Sequence, residues 1–156
     1  MKLLFVFVFL STFIPFIAAE KKKCRALVLE GGGPRNAYSA GVLKAIVDLL
    51  PKEERAYDVV SGVSMGAVNT FILGMHAPGD EEAAVKETLK FWLNLEEKMV
   101  YQNWFLGFLQ GLTAKSGLYD NEPYTKTMNK LVNSYNHGFL RNFIITLTDL
   151  NSGIFK

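Results

Sequence analysis

Cysteine is almost absent from this chain of 156 residues. Cys24 stands alone, which excludes an intrachain disulfide framework and any all-cysteine zinc site. Histidine is nearly as scarce: His76 and His137 lie far apart in sequence, so no metal site is expected. A dominant charge is lacking too. The chain sets 17 Lys and Arg against 15 Asp and Glu, a net charge of +2, and this balance excludes a polybasic nucleic-acid binder. No repeat period is present, which argues against a solenoid, and no Asn-x-Ser/Thr sequon marks a glycosylated surface. What the chain does have is apolar residues, 49% of the whole, with 15 of them in the first 19 positions. Without that stretch the remainder keeps the apolar content of an ordinary globular domain, and its length suits one domain with one core.

Met1-Lys2 precedes the unbroken apolar run Leu3 to Leu10; Phe13 to Ala19 continues it, and Ala18-Ala19 then meets Glu20-Lys21-Lys22-Lys23. A short basic start, an apolar middle and a small-residue end predict a secretory signal peptide over residues 1–19, cleaved after Ala19, and hence a secreted protein. The alternative is an uncleaved membrane anchor over residues 3–19. That length just spans a bilayer, and Lys21, Lys22, Lys23 and Arg25 outweigh Lys2 on the other side.

Downstream, Ala26-Leu27-Val28-Leu29 reads as a buried strand running into Gly31-Gly32-Gly33. Tyr38, Val42, Ala45, Ile46, Leu49 and Leu50 recur at helical spacing until Pro51 stops them. Tyr57 to Ser61 is a second strand and Gly62 to Gly66 a tight turn; Ala67, Val68, Phe71, Ile72 and Met75 then form a buried helix. Asp80 is placed to cap a third helix, on which Glu82 can pair with Lys86. Helical spacing over the aromatic stretch puts Tyr101, Trp104, Phe105, Phe108 and Leu112 on one face, either a core face or a lipid-contact surface. Asn121 to Asn136 reads as a further helix with Pro123 in its first turn, and Phe143 to Leu147 as a third strand before the turn Asn151-Ser152-Gly153. Strands alternating with helices predict an α/β sandwich with a largely parallel sheet.

Two motifs carry chemistry. Gly62-Val63-Ser64-Met65-Gly66 fits G-x-S-x-G between a strand and a helix. A serine on so sharp a turn projects its hydroxyl from the sheet edge, glycines such as Gly62 and Gly66 keep side chains off the bend, and the helix directs its N-terminal amides at the hydroxyl. A plain structural turn is the alternative. Glu30-Gly31-Gly32-Gly33-Pro34-Arg35 allows backbone amides to approach a ligand oxygen. It fits neither phosphate-loop pattern, since Asn36 stands where G-x-G-x-x-G needs its last glycine. An oxyanion hole, with Arg35 adding positive charge, and a simple packing turn remain as readings.

These stretches together resemble the patatin-like phospholipase family. The similarity rests on Leu29 to Arg35 with Ala40-Gly41-Val42-Leu43, on Val60 to Ala67, on Ser116 to Pro123 and on Thr146 to Gly153, in family order. It implies a three-layer α/β sandwich with a largely parallel central sheet, incomplete at its C-terminus, over residues 24–156. It also implies a lipid acyl hydrolase of phospholipase A type, with Ser64 as nucleophile of a Ser-Asp dyad, Gly31, Gly32, Gly33 and Arg35 as oxyanion hole, and Gly62 and Gly66 as the nucleophile elbow. No cofactor and no metal are implied. The partners would be phospholipid or other acyl-lipid substrate and a membrane surface, with no nucleic acid. Two features depart from the family pattern. Asn36 replaces the usual glycine after the arginine, and none of the aspartates at 48, 58, 80, 120 and 149 precedes a glycine as the dyad aspartate should. Ser64, Asp120 and His137 do stand in the chain order of a hydrolase triad, but His137 and His76 both sit at expected helix ends, where carbonyl capping is the simpler role. Asp149 is expected to stabilise its turn. The competing reading is a catalytically inactive lipid-binding or interaction domain that keeps the fold without the base.

Overall fold

The computed structural model describes residues 23–115, 117–149 and 151–154. The leader and anchor expectations, residues 1–19 and 3–19, lie outside the described residues, as does Phe155. Strand β1 (Ala26–Leu29) leads through a 3-10 turn (Gly33–Arg35) into helix α1 (Asn36–Leu49), and a short α2 (Lys52–Arg55) follows Pro51. Strand β2 (Val59–Val63) passes into α3 (Met65–Gly74), and α4 (Glu81–Asn94) follows. Beyond a second 3-10 turn come α5 (Phe108–Thr113), α6 (Glu122–Asn133) and strand β3 (Asn142–Thr146). Among the described residues the strands form one parallel sheet in the order β1-β2-β3, so the expected α/β architecture is observed.

Parallel pairing sets Leu27 beside Val60 and Phe143, and Leu29 beside Gly62 and Ile145. Leu27, Leu29, Val60 and Phe143 join Leu43 and Val47 of α1, Leu73 of α3, and Ala84, Val85 and Leu89 of α4 in one core. Each fully buried branched side chain there contributes about 1.5–3 kcal/mol relative to leaving it in water. The other face carries Val28, Ser61 and Ile144 in register, and Val28 is 74% exposed. The apolar run of β1 therefore alternates rather than being buried throughout, because a strand turns successive side chains to opposite faces.

Several local expectations are corrected. Strand β2 starts and ends two residues later than expected. The Asp58 carboxylate and the Tyr57 N–H are taken by Arg25 N–H (3.0 Å) and Glu81 Oε1 (3.1 Å), so the ladder begins at Val59. Gly62 and Val63 then belong to the strand, which sharpens the turn to Ser64. Asp80 is the first flanking residue of α4 but makes no capping bond through its side chain. Glu81 takes the local amide instead, accepting the Gly79 N–H at 2.8 Å, and Glu82 reaches Arg55 at 3.9 Å. The aromatic stretch is not one helix. Gln102 and Asp120 pair across its base, Gly107 adopts φ 65°, and only Phe108–Thr113 is helical.

One structural interaction lay beyond the sequence patterns. Arg141 at the foot of β3 and Glu81 at the start of α4 form a buried ion pair of 2.8 Å, with side chains 0% and 3% exposed. Arg141 also donates to the carbonyls of Tyr57, His76 and Ala77 at 2.7–3.1 Å. A buried charge requires such complete pairing to offset its desolvation.

Candidate active site

Ser64 sits at the junction of β2 and α3 with φ 55° and ψ −130°, and its residue is exposed. Among the described residues it is the only non-glycine with positive φ. Such a conformation costs on the order of 1–3 kcal/mol and persists only where the surroundings over-determine it. The glycines supply that constraint. A Cβ on Gly62 would lie 2.7 Å from the Gly66 carbonyl carbon, and one on Gly66 would lie 2.6 Å from the Leu29 carbonyl oxygen. Only hydrogen at these positions lets the first turn of α3 lie against β2 and the end of β1. Ser64 makes no side-chain bond to cap α3, while its carbonyl accepts the Ala67 N–H at 2.9 Å.

The same packing brings the two glycine motifs together. A Cβ on Gly31 would stand 3.1 Å from Ser64 Cβ and 3.4 Å from the Val63 carbonyl oxygen. Both loops thus open at the C-terminal edge of a parallel sheet, where α/β proteins place their ligands. Gly33 has φ 55°, and the Arg35 N–H closes the loop onto the Gly32 carbonyl at 3.2 Å. The Arg35 residue is exposed and Asn36 is 2% exposed. With its amide turned so that both ends meet complementary groups, Asn36 accepts the Gly32 N–H at 2.9 Å and donates to the Glu30 carbonyl at 3.0 Å. A groove of about 490 Å³ lined by Glu30, Gly31, Gly32, Arg35, Asn36, Tyr38 and Ser39 opens beside this loop. A larger groove of about 590 Å³ runs past Lys44, Val47, Val85 and Leu89, but it touches no residue of either motif. Tyr124 of α6 reaches the elbow from another side: its hydroxyl, pushed up by burial, donates to Met65 Sδ at 3.5 Å.

The other titratable residues singled out in the sequence have partners elsewhere. Asp120 accepts the Gln102 side-chain amide at 2.8 Å and the Glu122 N–H at 3.0 Å; the first bond, helped by the second, holds its carboxyl below the usual range. His137 places Nδ1 2.9 Å from the Gly138 carbonyl oxygen and packs edge-on to Tyr135, so its ring meets a loop carbonyl rather than the end of α6. His76 does not cap carbonyls with its ring, which lies 2.9 Å from Glu87 Oε2. Asp149 stabilises its turn as expected, accepting the Asn151 N–H at 3.0 Å. The buried amides of Asn36 and Asn69 were not singled out for any role. The pair Asn69-Thr70 in the otherwise apolar sequence of α3 was the available signal for Asn69.

The family model described as patatin-like phospholipase matches residues 27–154. Calcium-independent phospholipase A2-gamma of Oryctolagus cuniculus is 28% identical over 112 residues, 70% of this chain and 13% of that protein. The Rattus norvegicus protein of that name is 29% identical over 112 residues, 70% of this chain and 14% of the relative. The Homo sapiens protein is 39% identical over 59 residues, 36% of this chain and 8% of the relative. The chain therefore spans 8–14% of the length of these curated relatives. No solved structure matches it. Since the segment matched by the family model takes in both glycine motifs, the strained Ser64 junction and all of the described sheet but Ala26, the chain belongs to the patatin-like phospholipase family.

Proposed function

We propose that this chain carries the nucleophile and oxyanion side of a lipid acyl hydrolase of phospholipase A type. The observation that carries the reading is Ser64 held at φ 55° with Gly31 packed against its Cβ position. In this mechanism Ser64 Oγ attacks an ester carbonyl, the alcohol leaves, and water hydrolyses the acyl-enzyme. The loop of Gly31, Gly32 and Gly33 with Arg35 stabilises the oxyanion. Because Asn36 occupies the Gly32 N–H, the flanking amides of Gly31 and Gly33 are the proposed donors. The substrate is a phospholipid or related acyl lipid, in keeping with the names of the relatives. The exposed apolar residues Phe105, Leu106, Leu109 and Leu112 provide contact with a membrane surface, and the leader over residues 1–19 directs the chain into the secretory pathway.

A fluorophosphonate that esterifies activated serines, applied beside a short-chain aryl ester, tests the reading in the chain and in Ser64→Ala. Labelling confined to Ser64 supports it; equal labelling of both proteins overturns it. Turnover of the ester by this chain alone is expected to be low, because a serine hydroxyl needs a base and Asp120, Asp149, His76 and His137 are engaged elsewhere. That engagement favours the second reading, an inactive lipid-binding domain. Vesicle binding without Ser64 labelling would select it.

A further inference from the structure

The glycine loop is tied to the body of the domain by a line of buried amides. Trp92 Nε1 of α4 donates to Asn69 Oδ1 at 2.7 Å. Asn69 Nδ2 donates to the Asn36 backbone carbonyl at 3.3 Å, and the Asn36 side chain holds the Gly32 N–H and the Glu30 carbonyl. Asn69 is 0% exposed and Asn36 is 2% exposed. An amide buried this deeply costs stability unless its bonds are made, and apolar residues would fill the same volume without that cost. Packing alone therefore gives no reason for two asparagines here. The position of Asn69 gives one: it lies on the helix that begins at the Ser64 turn, so the same side chain is fixed to the elbow by covalent structure and to the glycine loop through Asn36.

We propose that Asn36, backed by Asn69 and Trp92, is a positioning residue that sets the glycine loop against the Ser64 elbow. Asn36 draws the Gly32 N–H inward, and the loop then presents its neighbouring amides in one fixed arrangement. This rests on the hydrolase reading only in giving the loop an oxyanion to bind; the positioning itself is a property of the fold. The relay crosses three helices, so loosening it at Trp92 is felt at Gly32 without any residue of the site being touched.

The test is amide hydrogen exchange on the isotopically labelled full chain, followed at the Gly32 N–H and the Trp92 indole, alongside the rate of fluorophosphonate labelling at Ser64. Asn36→Ala removes the acceptor and is expected to speed Gly32 exchange about tenfold beyond any change in the other loop amides, as loss of one hydrogen bond predicts. Trp92→Phe keeps an aromatic side chain on α4 but is smaller and lacks the indole N–H donor. It is expected to speed Gly32 exchange about threefold beyond any change in the other loop amides and to slow Ser64 labelling by a similar factor, beside a lower urea midpoint from the unpaired Asn69 oxygen. It also decides the matter if Asn36→Ala does not fold. Gly32 exchange that is the same in Trp92→Phe as in the parent overturns the relay. Faster Gly32 exchange in a protein whose Ser64 is never labelled supports the relay and removes the hydrolase reading instead.

Discussion

At the scale of single residues, the site depends on where side chains are missing. Gly66 faces the last carbonyls of β1 so closely that a methyl group there has no volume to occupy. Gly66→Ala is therefore expected to lower stability by about 3 kcal/mol, the upper range for forced overpacking, as a shift in the urea midpoint with the m-value kept. Asp120 shows the opposite situation, a residue defined by its partners. Its carboxyl is held below the usual aspartate range because the Gln102 amide, and then the Glu122 N–H, bond its charged form. A depressed folded value contributes stability above the unfolded pKa, and this contribution is lost as pH falls through the folded one. The Gln102–Asp120 closure should thus survive into acid where a free aspartate is already protonated. A carboxyl NMR titration checks this, with Gln102→Ala expected to return the midpoint toward the ordinary value.

At the scale of elements, the motifs were legible and the buried polar links were not. Repeats of three and four placed α1 and α3, and glycines between a strand and a helix marked both site loops, because these are local rules of backbone and periodicity. Glu81 and Arg141 are 60 residues apart, and nothing local distinguishes them from the charged residues around them. Their pairing follows from the β2–β3 ladder, which brings the foot of β3 beneath the start of α4. Arg141→Met is expected to cost about 3–5 kcal/mol by leaving a buried carboxylate without its cation, and the double variant with Glu81→Gln to lose less than the two singles combined. Denaturation of the four proteins of the cycle measures both. The aromatic stretch misled for a related reason. Helical spacing was present, but Gly107 and the tie at Gln102 broke the helix, leaving Phe105 97% exposed. Phe105→Ser with Leu109→Ser should leave the thermal midpoint nearly unchanged and reduce co-sedimentation with phosphatidylcholine vesicles severalfold.

At the scale of the whole molecule, one parallel sheet brings two distant loops to a single edge, and the two glycine motifs meet there while Asp120, His76 and His137 bond elsewhere. The base was not legible because none of the aspartates at 48, 58, 80, 120 and 149 stands before the glycine that the family resemblance leads one to expect. The strained turn at Ser64 also has a consequence for stability. A domain that needed only to fold would be better served by glycine at that position, which adopts the same backbone angles freely. Ser64→Gly is expected to raise stability by about 1 kcal/mol in urea denaturation while abolishing phosphonate labelling. The backbone strain at Ser64 is thus a standing cost in folding that the proposed nucleophile role would account for and the inactive reading would not.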